Sequence, residues 1–407
     1  MSRPAETSML RIRPTTAMAG RIAACATVPA LLAGAAVGPA NPHPAAAQPL
    51  PARSARLAAG TGGRPITTAG SAFQMTAGRH YGQRANASGY SVIVSTGPYS
   101  AWLFGGTNPG GPSAPVAAQW NGTVLTTATL PSGLSSFISD ASATSGSDFW
   151  AASQYGRYLL HYDGVQWRVV KRWQRGQITG LTAISPSDVW VFGTAADGTS
   201  DPGTWHFDGY SWQRVPGLAG SVCRATATSD GDIWAIAASP ASYSILQYDG
   251  TSWQPVPTGS DLNGVQPHDI LAISPDDVWV LGTKADTADG ARLVLLHWNG
   301  AAWASLVTQV SAWAGRLAPG ADGSVLVTAT PADASASGLI LEVSAFGGSP
   351  VVTAESWLDT GSVSDVALAS GTRSLWASGA NLTRLGGEAV VWTGQPWQPL
   401  DQSGIGT

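Results

Sequence analysis

Ile178-Thr179-Gly180-Leu181-Thr182-Ala183-Ile184, Ser185-Pro186-Ser187-Asp188, Val189-Trp190-Val191-Phe192 and, past a Gly/Asp/Ser/Pro loop, Trp205-His206-Phe207-Asp208-Gly209-Tyr210-Ser211-Trp212-Gln213-Arg214-Val215: this stretch decides the fold. Its first segment is short, apolar and bounded by breakers, the pattern of a buried strand. Ser-Pro-Ser-Asp makes a tight turn with proline at its second position. A second strand runs to Phe192 and is stopped by Gly193. Asp208-Gly209 predicts a type I′ hairpin between the third and fourth strands, because both residues tolerate positive φ. The unit from Ile178 to Pro216 thus reads as a four-stranded antiparallel meander.

The same unit recurs along the chain. The Asp-Gly position is held by Asn121, Asp163, Asp208, Asp249 and Asn299, by a degenerate copy near Ser344, and by Thr393, about every forty to fifty residues. The second-strand aromatic recurs at Trp102, Trp150, Trp190, Trp234, Trp279 and Trp376, with Leu326 in the sixth copy. The fourth-strand tryptophan recurs at Trp167, Trp212, Trp253, Trp303 and Trp397, with Leu125 in the first. Meanders with aromatics at equivalent places need neighbours to bury them, and radial closure supplies neighbours without free ends. The expectation is an all-β fold: a single seven-bladed β-propeller of four-stranded antiparallel blades over residues 89–402. The first copy starts at its inner strand (Ser91–Val94) and the last ends at its outer strand (Trp397–Leu400). Closure therefore rests on blade-to-blade packing or on an extra strand from Pro65 to Met75.

Residues 1–47 read as a secretory signal peptide. Arg11, Arg13 and Arg21 form its basic region, Ile22 to Gly38 its apolar stretch, and Ala45-Ala46-Ala47 its cleavage site. The apolar run is too short for a membrane span, and Pro29 interrupts it. Residues 48–88 form a Gly/Ala-rich linker or the extra strand. One of the 2 cysteines, Cys25, lies in the leader. Cys223 then stands alone, and an exported domain of this kind is held by its core and not by a disulfide. Charge is sparse, 21 basic against 25 acidic residues, with no basic stripe. Nothing in that balance suggests nucleic acid.

Asp188-Val189-Trp190-Val191-Phe192-Gly193 followed by Asp208-Gly209-Tyr210-Ser211-Trp212 resembles the Trp-rich repeats of secreted actinobacterial β-propellers. Trp234 through Pro257 and Tyr210 through Gly220 are also similar to tectonin-type repeats. That resemblance implies binding of glycans and microbial surfaces. It covers roughly Ser91 to Leu400, its copies are longer than tectonin repeats, and its motifs are structural.

Function sits on loops that break the repeat. Trp173, flanked by Arg172 and Arg175, and Trp357, between Glu355 and Asp359, are off-phase in links between copies. The link Thr258 to Asp269 carries Asp261, Asn263, His268 and Asp269. Such links are expected to rim the central cavity, so Arg172, Trp173, Arg175, Asp261, His268, Asp269, Glu355, Trp357 and Asp359 make up the expected ligand site. Trp173 and Trp357 are expected to be partly exposed on one face with His268. His161, His206 and His297 hold matching third-strand positions and read as part of the repeat. No nucleophile elbow, zinc-protease helix or phosphate loop is present, and no catalytic residue, metal or cofactor is expected. The reading is a secreted, extracellular, monomeric, non-catalytic binding protein for a glycan or cell-envelope component, with a protein partner next. The alternatives are an extracellular glycan-active hydrolase or lyase on the same scaffold, and a protein-interaction or spacer module.

Overall fold

The computed structural model describes residues 88–399 except 98–99, 108–113, 122–124, 195–201, 217–220, 229–230, 240–241, 287–289, 322, 333–337, 358–361, 369–374, 382–385 and 393–397. All of its extended elements are β-strands. The first sheet is β1 (Ser88–Gly97), β2 (Ser100–Thr107), β3 (Pro115–Trp120) and β4 (Leu125–Thr127). The second is β5 (Asp140–Ser145), β6 (Asp148–Ser153), β7 (Tyr158–Tyr162) and β8 (Trp167–Arg172). The third is β9 (Gln177–Ser185), β10 (Asp188–Thr194), β11 (Thr204–Phe207) and β12 (Trp212–Val215). The fourth is β13 (Ser221–Ala227), β14 (Ile233–Ala238), β15 (Tyr243–Tyr248) and β16 (Trp253–Val256). A seven-stranded sheet follows: β17 (Val265–Ser274), β18 (Asp277–Asp286), β19 (Gly290–Trp298), β20 (Trp303–Pro319), β21 (Val325–Pro331), β22 (Leu339–Phe346) and β23 (Ser349–Trp357). The last sheet is β24 (Ser362–Leu368), β25 (Leu375–Asn381), β26 (Gly386–Trp392) and β27 (Gln398–Pro399).

Every sheet is an antiparallel meander in chain order. The seven-stranded one departs from the expected separate four-stranded units. Its β20 pairs with β19 as far as Ser311 and with β21 from Ala312 onward. The stretch Trp303–Ala314 contains neither glycine nor proline, so nothing stops the strand between the two copies. The innermost strands touch in sequence: β1, β5, β9, β13, β17, the second half of β20, β24, and β24 again on β1. The described sheets therefore close into a ring through the packing of one sheet on the next, one of the two expected means of closure. Pro65 to Met75, the other alternative, lie outside the described residues.

Aromatic side chains carry the packing from sheet to sheet. The second-strand tryptophan of one sheet meets third- and fourth-strand aromatics of the next. Trp102 lies 5.0 Å from Tyr162 and 5.1 Å from Trp167 (ring centroids), and Trp150 lies 6.0 Å from Phe207 and 6.2 Å from Trp212. Trp190 lies 5.2 Å from Tyr248, and Trp234 lies 6.3 Å from Trp298. Trp376 of the last sheet meets Trp120 of the first at 5.9 Å, which closes the ring. Such edge and offset pairs add to the area they bury. Where the sixth copy lacks the repeat tryptophans, Trp279 packs instead with Val325, Val327, Leu341 and Val343. The second-strand tryptophans are buried, whereas Trp212, Trp253 and Trp303 are half-buried at the perimeter.

The described outer hairpins that open on aspartate or asparagine are not type I′ turns, whereas the sixth, with Gly347 and Gly348 both at positive φ, has that backbone. Phe207 pairs with Trp212 across a four-residue loop, and only Gly209, at φ 89°, is left-handed. Asp208 Oδ1 accepts the N–H groups of Tyr210 at 2.9 Å and Ser211 at 2.8 Å. Asp163, Asp249 and Asn299 do the same. An aspartate or asparagine that caps its own loop favours this turn over the tighter one. The degenerate sixth hairpin turns at Gly347–Gly348, between Phe346 and Ser349, and not at Ser344.

Candidate functional site

The inner strands β1, β9, β13, β17, β20 and β24 each carry a bulge near the start of their axial segment. A bulge kinks its strand and re-aims side chains. Asp269, Asp365 and Arg224 follow their bulges directly, and Arg316 lies within one. Asp140 opens β5. These five side chains converge from five inner strands.

Arg224 reaches Asp140 at 3.5 Å and Asp269 at 3.8 Å; Arg316 reaches the same two carboxylates at 3.6 and 3.8 Å. The guanidiniums also donate to carbonyls, Arg224 to Thr179 O at 2.6 Å and Arg316 to Ser139 O at 3.0 Å. Each carboxylate accepts a backbone N–H from the neighbouring inner strand. Asp140 takes Leu181 N at 3.1 Å, Asp269 takes Leu317 N at 2.8 Å, and Asp365 takes Ile93 N at 3.0 Å. Buried charges persist only when paired and hydrogen-bonded in this way. Burial pulls Arg316 toward losing its proton, but Asp140, Asp269 and Asp365 outweigh it and hold the guanidinium more firmly protonated than usual. Beside them His268 sets Nε2 2.8 Å from Thr283 Oγ1. Burial first, and the charge of Arg224 second, push its pKa down to about 4, so its ring is neutral near pH 7.

Of the residues expected at the ligand site whose side chains are described, the structure brings only His268 and Asp269 to the axial cluster. Both lie on β17 and not in a link, and Asp269 is 5 % exposed. Trp173 is not on the surface: it is 6 % exposed, packed with Trp150, Leu159, Ile178 and Leu181. Its backbone N–H donates to Arg157 O at 2.9 Å, and its side chain lies between the second and third sheets, against Trp205. Arg172 and Arg175 are exposed at the end of β8 and just beyond it, with Arg172 over the Tyr158 ring. Asp261 accepts the Ser305 hydroxyl at 2.8 Å, against an outer strand and away from the axis. Glu355 and Trp357 belong to β23, opposite Leu341 and Leu339, and not to a link. Asp359 lies outside the described residues.

The three third-strand histidines behave as part of the repeat. Nε2 of His161, His206 and His297 meets Asp148, Asp188 and Asp277, and each ring packs on the second-strand tryptophan. Sequence reasoning missed Asp140, Arg224, Arg316 and Asp365. Their signal was a charge inside an otherwise apolar inner strand, at the repeat position that Asp269 holds. Among the described residues no group of three or more His, Cys, Asp or Glu could hold a metal ion. A second concavity, a groove of ≈ 760 Å³, runs between the first and second sheets at the perimeter, where β4 is only three residues long.

No protein family matches the chain, and no curated protein matches it in sequence. Solved structures do. YCF48 bound to a D1 peptide superimposes with a TM-score of 0.51 at 14 % identity, over 77 % of this chain and 96 % of that one. A streptogramin B lyase gives 0.50 at 13 %, over 72 % and 91 %. The extracellular domain of a one-component system, BT4673 from B. thetaiotaomicron, gives 0.52 at 9 %, over 78 % of this chain but 40 % of that one. At such identities the likeness concerns fold alone: the chain is built like the β-propellers, whose roles differ from one to the next.

Proposed function

We propose that the chain is a seven-bladed propeller, exported from the cell, whose axial mouth binds a glycan or another cell-envelope component without transforming it. The seven-blade reading counts the seven-stranded sheet as two blades that share β20. The convergence of Arg224, Arg316, Asp140, Asp269 and Asp365 from five inner strands carries the binding proposal. At 3.5–3.8 Å the ion pairs are looser than tight charge-assisted bonds. Guanidinium donors beside carboxylate acceptors suit a ligand with neighbouring hydroxyls, and His268 adds a neutral ring. No helix among the described residues is long and apolar enough to cross a membrane.

The test is a glycan array probed with the full chain, followed by His268→Ala. That ring takes no part in the ion pairs, so the variant should stay folded, with a thermal midpoint lowered by loss of the Thr283 contact, and should lose about tenfold in affinity, roughly 1.4 kcal/mol. A silent array would leave the propeller a spacer or protein-interaction module. Turnover of a bound glycan would make it an enzyme.

A further inference from the structure

Ten lysines and arginines fall among the described residues, and the fold distributes them unevenly. Arg224 and Arg316 are taken up at the axis. Arg157, Arg168, Lys171, Arg172 and Arg175 all belong to the second sheet and its links, and Arg214 lies on the outer strand of the third. Four of the eight residues in Arg168-Val169-Val170-Lys171-Arg172-Trp173-Gln174-Arg175 are cationic, on a chain of net charge −4. Arg168, Arg172 and Arg175 are exposed; Arg168 leaves 61 % of its side chain in solvent while pairing with Asp163 at 3.0 Å. Lys171 folds its ammonium 4.0 Å above the Trp205 ring, so the outward charge is guanidinium. About 13 Å of strand separates Arg168 from Arg172. Guanidinium forks match planar carboxylate, sulfate and phosphate groups, and local positive charge on an acidic molecule steers polyanions to this patch.

Arg168 also lines the ≈ 760 Å³ groove, with Gln119, Gln166, Ser132, Tyr162 and Trp167. Amides and a hydroxyl serve sugar hydroxyls. The edge of β8 does not suit an added peptide strand. Its register jumps from Leu160–Val169 to Leu159–Lys171, leaving Val170 as a bulge that interrupts the row of backbone groups.

We infer that the outer strand of the second sheet and the groove beside it form a binding surface for an extended anionic polysaccharide. The surface is remote from the axial mouth and does not depend on a ligand there. Full-length protein should bind immobilised polygalacturonate and not neutral dextran, and 0.5 M NaCl, which screens such contacts, should release it. R172E/R175E should weaken binding at least tenfold with an unchanged thermal midpoint. A comparison variant, K284E/R292E, with the same change in net charge on the seven-stranded sheet, should bind as wild type. The inference is overturned if R172E/R175E binds normally, or if K284E/R292E loses as much. Tighter binding to polyglutamate or to phosphatidylglycerol vesicles, or retention on none of these polymers, overturns it equally.

Discussion

Both ring nitrogens of His297 face acceptors, Asp277 Oδ1 at 3.1 Å and the Gly348 carbonyl at 2.9 Å, an arrangement that favours the doubly protonated ring, which can donate to both. Burial pushes its pKa down, but the bonds to Asp277 and Gly348 and the Asp277 charge bring it above the ordinary histidine value. A raised folded pKa contributes stability that is complete below the unfolded value, about 6.5, and is lost as pH climbs through the folded one. The thermal midpoint should therefore fall as pH is raised from about 6 to 8, and His297→Gln should flatten that slope. Parallel curves for the two proteins would show that the ring is neutral. The periodicity that marks His297 as part of the repeat was legible in sequence; its contact with Gly348 was not, because the sixth hairpin has lost the Asp-Gly signal that would place it. Trp173 was misread for a related reason. Leaving the repeat phase says nothing about leaving the core when the link itself crosses between two sheets.

Strand order could be read directly from turn residues and tryptophans, because each meander is local and its hairpins carry their own caps. The capping loops also make a differential prediction. Gly250 and Gly300 both sit at positive φ, 89° and 84°. A Cβ at Gly250 meets nothing within 4 Å, whereas at Gly300 it would approach Asp276 Oδ1 to 2.5 Å. Gly250→Ala should cost about 1–2 kcal/mol from the left-handed backbone alone, and Gly300→Ala clearly more, by urea denaturation. Equal losses would mean that Asp276 swings aside freely. Less legible were the axial charges. Arg224 and Arg316 look like interruptions of apolar strands until the bulges are seen to turn them inward, and a bulge has no sequence mark here beyond the repeat position itself.

At the scale of the molecule, sequence indicated radial closure but not how the seam is held. It is held by the Trp376–Trp120 contact and by the bond from Ile93 N to Asp365. Asp365→Ala would strand a buried N–H, a loss of about 1–3 kcal/mol. Amide exchange at Ile93 should accelerate more than at Leu181, whose acceptor Asp140 is untouched; unchanged exchange at Ile93 would mean that the seam needs no such bond. Strand β20 has the opposite character. Elsewhere a loop separates one sheet from the next, and each sheet can loosen against its neighbour as a unit of its own. Across β20 there is no such joint, so fraying that starts in β21–β23 runs along an unbroken backbone ladder into β17–β19. That arc should therefore open and close as a single cooperative block, even though the sixth copy within it has leucine, Leu326, where the other copies carry their second-strand tryptophan.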